Sequence, residues 1–439
     1  MSEWKESKLK EVVDIRVSNV DKKIYPNKSL VKLCNYMDVY KNDYISSKIS
    51  FINGSADKNE ILRFGLQIND VIITKDSETP DDIAVSSVVS EKIENLVCGY
   101  HLAILRPNQD EVDGRFLMFM FKLPAIKNYF FSVANGSTRY GLTIGNIENA
   151  KLRFPPLPTQ RRIARILSTA DAVIEKTQAA IAKYKAIKQG MLQDLFTRGI
   201  DTQTSKLRPK YQDAPELYKE SKLGWIPKEW EVEIFGEQVE LVHGHQFRNY
   251  DFTEFGFPIV KIGQVKPENL NLSDCSCVSF DRIDEFINEI IGNGDVLMAL
   301  TGATLGKACL VHGLNGIVLQ NYRVGRFEPK IREKDIDKTF LYYILIAGEL
   351  LNQIFSKVNS GAQGNIGKAD FEKATFKKPK FNEQLLIAQR LQSIDNKIQT
   401  EQTYLHKLQQ IKAGLMADLL NGKKEVIITD QEILTERNN

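Results

Sequence analysis

The sequence is poor in the residues that most often betray chemistry. Five cysteines, five histidines and three tryptophans are spread through 439 residues. The cysteines stand at Cys34, Cys98, Cys275, Cys277 and Cys309, an odd and scattered set that makes no disulfide framework. Cys275-Ser276-Cys277 has neither the ligand spacing nor the second cluster of a zinc site. His243 and His245 could meet on one strand face, but two ligands close no metal shell, and surface or structural roles are expected for both. No metal site and no catalytic residue is therefore assigned.

Charge of one sign is scarce as well. Lysine and arginine together number 59 against 56 aspartates and glutamates, a net charge of +3 that permits nucleic-acid binding without requiring it. No uninterrupted apolar run approaches the roughly twenty residues that span a bilayer. The polar start MSEWKESKLKEV carries no apolar signal core, so a cytoplasmic address without a membrane partner is expected. With 42% hydrophobic residues the chain can build real cores. At roughly 100–200 residues per domain it should hold two to four.

Enzyme signatures are missing too. Gly302-Ala303-Thr304-Leu305-Gly306-Lys307-Ala308 superficially resembles a phosphate-binding loop. It is one residue short between the glycines, and Ala308 replaces the hydroxyl that would bind magnesium, so a turn is expected. Pro155-Pro156 lacks the preceding Asn and following aromatic residue of an adenine-amino methyltransferase tetrapeptide. HExxH, GxSxG and DFG runs are absent.

What is present is a repeat. A helical stretch of about forty residues beginning TQRRIARILSTAD at Thr159 returns as NEQLLIAQRLQSID at Asn382. At an offset of 224, Gln160 falls on Gln384, Ile163 on Ile387, Ala164 on Ala388, Leu167 on Leu391, Asp171 on Asp395, and Asp194-Leu195 on Asp418-Leu419. Such a repeat marks duplicated structural units.

Both stretches carry an apolar stripe at spacings of three and four. In the first it runs through Ile163, Ile166, Ala170, Val173, Thr177, Ile181, Tyr184, Ile187, Met191 and Leu195. In the second it runs through Leu391, Ile394, Ile398, Leu405, Leu408, Leu415 and Leu419, with Ile411 beside the seam. Forty residues make a rod of roughly 60 Å. A rod with one apolar stripe is unstable alone, and each is the other's nearest partner. Duplication favours antiparallel pairing; packing of each rod on its own domain is the alternative.

Around the rods the chain divides into mixed strand and helix regions at 1–155 and 230–378. The spacer helices occupy 156–199 and 379–421. The polar, proline-bearing segment 200–229 reads as a linker, and 422–439 reads as a flexible tail. Thr159 is a candidate N-cap after Pro155, Pro156 and Pro158. The second mixed region matches the first in its entry (Trp230 for Trp4) and in a turn and strand (Gly294-Asp295-Val296-Leu297 for Asn69-Asp70-Val71-Ile72). Near the exit, 358–362 answers 133–137. The fold class is α+β: two pseudo-symmetric mixed α/β domains separated by a pair of long antiparallel coiled-coil helices.

The FPPLPTQRRIARILSTAD segment, the linker LRPKYQDAPELYKESKLGWIPKEWEV and the duplicated halves together resemble the specificity subunit of a type I DNA restriction–modification system. The resemblance covers essentially residues 1–421. It implies two target-recognition domains that each read one half of a bipartite, asymmetric double-stranded DNA site. It also implies a helical spacer that docks two modification (methyltransferase) subunits, with motor–nuclease restriction subunits joining through them. S-adenosylmethionine would belong to the modification subunits, and this chain would bind no cofactor. Segments GDVLMALTGATLGKACLV (294–311) and Gln320-Asn321-Tyr322 resemble family segments, whereas NDVIITKDSETPDD (69–82) departs from the family form.

Affinity is expected from cations near phosphates, and specificity from polar side chains near base edges. The candidates in the first domain are Lys75, Thr138, Arg139 and Tyr140. In the second they are Lys261, Gln264, Lys266, Thr301, Lys307, Gln320, Asn321, Gln363 and Asn365. Arg161, Arg162 and Arg165 could face DNA or a modification subunit. The rival reading is a scaffold that joins protein partners through the coiled coil without specific DNA binding.

Overall fold

The computed structural model describes residues 4–267, 269–330, 335–356 and 365–426. The chain divides into two compact units, Met1–Thr177 with Tyr404–Asn439, and Gln178–Thr403.

The first unit is built on a five-stranded sheet in the order Val13–Val17, Leu102–Pro107, Val71–Thr74, Ser86–Val89, Tyr44–Ile45. The neighbours are antiparallel except the last pair. Strand Val71–Thr74 is buried along its whole length because both sheet faces are covered. Val71, Ile73, Ala103 and Leu105 point into a core with the helix Gly114–Met120. Ile72, Leu102 and Ile104 point into a second core, beneath the small sheet Ile52–Ala56, Ser29–Cys34, Leu96–Cys98. Asp113 caps the Gly114–Met120 helix by accepting from Phe116 N at 3.0 Å.

The second unit repeats this plan with a four-stranded antiparallel sheet: Val239–His243, Val324–Pro329, Val296–Ala299, Ala308–Leu310. Val296 and Met298 face the core that holds helix Lys338–Ile346, while Leu297 and Ala299 face a separate one. Asp337 caps that helix by accepting from Phe340 N at 2.8 Å.

Two long helices, Leu157–Thr197 and Phe381–Leu419, each contribute to both units. The first begins at Leu157, so Thr159 lies inside the first turn and not at the cap. Pro158 is tolerated there because its missing N–H would be unpaired in any case. Within the first unit, Ile163, Ala164 and Leu167 share a core with Leu419 and Leu420. Within the second, Leu192, Leu195 and Phe196 share one with Ile387, Ala388 and Leu391. The two helices thus pack together.

Every stripe residue is buried or half-buried except Ile187, which is 40% exposed. Lys188 takes the place beside it, with Nζ 2.6 Å from Asp395 Oδ1 and 5.7 Å from the centre of the Tyr343 ring. The Tyr343 hydroxyl donates to Asp395 Oδ2 at 2.7 Å. The same station recurs in the first unit: Lys412 pairs with Asp171 and lies 5.7 Å from the Phe119 ring. Phe119 has no hydroxyl, and Tyr44 supplies one, donating to Asp171 Oδ2 at 2.9 Å. Burial raises the pKa of both Tyr44 and Tyr343 and the adjacent carboxylates raise it further, so both phenols stay protonated donors.

Gln160 and Gln384 form a second repeated device, at 1% and 0% exposure. Gln160 Oε1 accepts from Asp113 N, and its Nε2 donates to the Glu111 and Pro155 carbonyls. Gln384 does the same with Asp337 N and the Asp335 and Pro379 carbonyls. Each partner stands 224 positions from its counterpart.

The segment 200–229 differs from the irregular linker read in the sequence. It folds into two hairpins, Ile200–Asp201 with Lys206–Leu207 and Tyr218–Ser221 with Gly224–Pro227. It is pinned by Glu383, which accepts from Ile200 N at 2.7 Å, Arg208 Nη1 at 2.5 Å and Trp230 Nε1 at 3.0 Å. A lone Ile or Arg in a polar run gives no periodicity, so sequence pattern cannot register an anchor of this kind. The start of the proposed tail is also placed: Gly422 packs close against Trp4, while 427–439 lie outside the described residues.

All five cysteines are free, and Cys34, Cys98 and Cys309 are buried. Burial pushes the Cys309 thiol up to about 12. Among the described residues, no helix is long and apolar enough to cross a membrane, and no group of His, Cys, Asp or Glu could hold a metal ion.

Candidate nucleic-acid interface

Each domain carries a cleft at the same place in its sheet, where the buried central strand ends. In the first unit, strand Val71–Thr74 runs on to Asp76, which pairs with Gly141 of the returning 140–141 strand. In the second, Val296–Ala299 runs on to Thr301, which bridges to Asn365. A tyrosine followed by a nitrogen-bearing side chain stands at the head of the adjacent strand in each: Tyr100-His101 before Leu102–Pro107, and Tyr322-Arg323 before Val324–Pro329.

The first cleft, of about 520 Å³, is lined by Tyr36, Met37, Tyr40, Asp76, Ser77, Glu78, Thr79, Asp82, His101 and Arg139. His101 has a φ of +72°, a backbone conformation rare for a residue with a Cβ. It is held there by Lys75 N donating to its carbonyl at 2.8 Å, and its Nδ1 lies 2.6 Å from Asp76 Oδ2. Tyr36 and Tyr40 stack at 5.7 Å. The Asp82 carboxylate raises the Tyr40 pKa by accepting its hydroxyl hydrogen bond, and burial raises that of Tyr36. Carboxylates outnumber cations in the lining, so this cleft presents acceptors.

The second cleft, of about 650 Å³, is lined by His243, Ile262, Leu300, Thr301, Gly302, Tyr322, Arg323, Asn365 and Ile366. No carboxylate is among these residues. Arg323 is exposed; its Nε donates to the Tyr322 hydroxyl at 2.7 Å and its guanidinium lies 5.3 Å from that ring's centre. His243 Nδ1 is 3.1 Å from the Tyr322 carbonyl. This cleft presents donors.

The candidates from sequence fall around these clefts unevenly. Arg139 lines the first, and Tyr140 pairs with Ser77 beside it. Thr138 is exposed next to them. Lys75 lies against the Asp76 carboxylate at 3.2 Å, with its side chain only 19% exposed. Thr301 and Asn365 line the second cleft. Lys261, Gln264 and Lys266 belong to a neighbouring turn, where Lys261 Nζ donates to Ser276 Oγ at 2.7 Å and Gln264 Oε1 accepts from Lys261 N. Lys307 is exposed on the turn after Gly306. Gln363 lies outside the described residues.

Gln320 and Asn321 are buried. Gln320 donates both Nε2 hydrogens to main-chain carbonyls, those of Val242 and Val324, and so ties strands together below the cleft. Asn321 Oδ1 accepts from Arg323 N at 3.2 Å, which makes it a support for Arg323. The clefts also bring in Tyr36, Tyr40, Asp76, His101 and Arg323, which the sequence reading did not single out, and His243, which it read as surface or structural. The one available signal was the repeated Tyr-His and Tyr-Arg pair ahead of matching strands.

The twofold recurrence of one frame agrees with the comparison to known proteins. The model of a family described as type I restriction modification DNA specificity domain matches residues 1–184 and again 227–411. The chain belongs to the specificity subunits of type I DNA restriction–modification systems. A specificity subunit is a non-catalytic member of its complex that recognises DNA and works with methyltransferase and motor–nuclease subunits. Two relatives come from Methanocaldococcus jannaschii. The type I restriction enzyme MjaVIII specificity subunit is 29% identical over 72% of this chain and 71% of its own length. The putative type I restriction enzyme MjaX specificity subunit is 24% identical over 97% and 94%. The crystal structure of a type I restriction–modification system S subunit from M. genitalium shares the fold, with a TM-score of 0.59 at 14% identity over 98% of this chain and 97% of that one.

Proposed function

We propose that this specificity subunit reads a bipartite, asymmetric DNA target through its two clefts, one half-site per domain, and leaves the bases between them unread. The paired helices run antiparallel, set the length of the unread gap and dock two adenine-N6 methyltransferase subunits, which hold the S-adenosylmethionine. Motor–nuclease subunits join through those.

The observation that carries the reading is the crosswise repetition of the ion-pair station. Asp171 of the first helix meets Lys412 of the second, and Asp395 of the second meets Lys188 of the first. Exchange of residues at an offset of 224 turns one pair into the other, which supports the antiparallel reading of the two helices. One frame is therefore presented twice, but with a carboxylate-rich cleft in one copy and a carboxylate-free cleft in the other. Like frames with unlike clefts favour unlike half-sites; identical clefts would favour a palindrome. Two weak readers held on one support gain affinity through effective concentration.

Mapping of adenine methylation in cells with and without this gene tests the reading. One bipartite motif with unlike halves should vanish with the gene. If no such motif is lost, the reading fails and the scaffold alternative gains.

A further inference from the structure

The clefts differ most at one repeated position, the residue that follows the tyrosine ahead of the strand beside the central one: His101 in the first domain and Arg323 in the second. His101 is spent on Asp76, 2.6 Å away. Arg323 is not spent. Its Nε is fixed to the Tyr322 hydroxyl, and among the described residues neither Nη1 nor Nη2 has a hydrogen-bond partner or a carboxylate in ion-pair range. The main chain beneath is equally fixed. Arg323 N donates to the Asn321 side chain, and the Arg323 carbonyl accepts from Leu300 N at 3.0 Å. The outcome is an exposed guanidinium held at Nε by a tyrosine hydroxyl, with both terminal nitrogens unpartnered among the described residues.

We propose that Arg323 is a specificity-determining residue that reads a guanine in the half-site of the second domain, donating from Nη1 and Nη2 to guanine O6 and N7. Two considerations favour a base over a phosphate. The paired terminal donors of a guanidinium match the two acceptors, O6 and N7, that guanine alone places side by side in the major groove. The position is also set in a cleft beside Asn365 and Thr301 instead of on a convex basic face. The first domain offers the opposite chemistry at the same place, since Asp76 takes up His101 Nδ1 and Glu78 and Asp82 add acceptors. It serves as an internal control.

The inference rests on the bipartite reading above, and one experiment separates the two. The chain is co-expressed with its methyltransferase subunit as wild type, Arg323→Ala and Arg323→Lys, and adenine methylation is mapped. Binding of each purified complex is then measured on the matched duplex and on duplexes substituted singly through both half-sites. For the wild-type complex, one guanine in the second domain's half-site should be worth about 10- to 100-fold in affinity over any other base. For Arg323→Ala that preference should collapse to near onefold at that position alone, with the other half-site read as before. Arg323→Lys, with no fork, should recover overall affinity more than preference. A uniform loss across all duplexes marks a phosphate contact and overturns the proposal. So does a second half-site without guanine, or a guanine preference that survives in Arg323→Ala. Absence of any bipartite motif in the wild type sinks the functional reading itself.

Discussion

Gln160 and Gln384 carry more of the fold than their exposed-looking chemistry suggests. A buried amide survives only where its donors and acceptor are matched, because an unsatisfied buried polar group costs about 1–3 kcal/mol. Each of these side chains meets one N–H and two carbonyls at the point where a long helix leaves its domain. Gln384→Leu keeps the volume and strands all three partners, among them the Asp337 N–H at the cap of a buried helix. A loss of about 2–4 kcal/mol is expected, read as a lower urea midpoint for unfolding of the second unit, and Gln160→Leu should do the same to the first. A loss below about 0.5 kcal/mol in both would mean that water or relaxation replaces the contacts and that the hubs are incidental. The pair was visible in the sequence as two aligned glutamines; their function was not, since every partner is a main-chain group and leaves no residue pattern behind.

The long helices were the most legible elements because their signal is periodic and extended over ten turns. Spacings of three and four survive any single exception, and one exception is instructive. Ile187 looks like a seam residue, yet the seam at that level belongs to Lys188, whose ammonium lies over the Tyr343 ring and against Asp395. Polar stations of this kind break the apolar rule where they fix register. The hairpins of 200–229 were illegible for the converse reason: each strand is two to four residues long and their anchor, Glu383, lies 183 positions from Ile200 and 175 from Arg208. The clefts were read by fragments only, since their walls are assembled from turns far apart in the chain. The stations make a test at this scale. Asp171→Ala leaves Lys412 half-buried without its counter-ion, and Asp395→Ala does so to Lys188, each at a cost of about 3 kcal/mol. Amide exchange should accelerate in the second helix's last turns, 404–419, for the first variant, and in its opening turns, 381–403, for the second. Equal acceleration at both ends in either variant would contradict a local role for the stations.

For the molecule as a whole, the hubs bear on how freely one reader can be exchanged for another. The joint between each domain and its helix uses main-chain atoms of the domain at Glu111, Asp113 and Pro155, or at Asp335, Asp337 and Pro379. Any sequence that adopts the same fold offers the same N–H and carbonyl groups, so the joint tolerates nearly complete divergence of the domain behind it. Side chains add to the joint: Ile163, Ala164 and Leu167 share the domain's core, Lys48 pairs with Glu175, and the Tyr44 hydroxyl donates to Asp171, a bond whose loss is worth about 1 kcal/mol. Replacement of residues 1–155 by the corresponding domain of another family member, with a tyrosine retained opposite Asp171, should therefore fold and assemble. Its methylation motif should keep the half-site read by the second domain and take on the donor's half-site in place of the first. Replacement of 230–378 should do the reverse. The decisive readout is the motif mapped from cells that carry each chimera: a change in both halves would show that the two clefts are coupled through the helices, and a change in neither would place base recognition outside the exchanged domains.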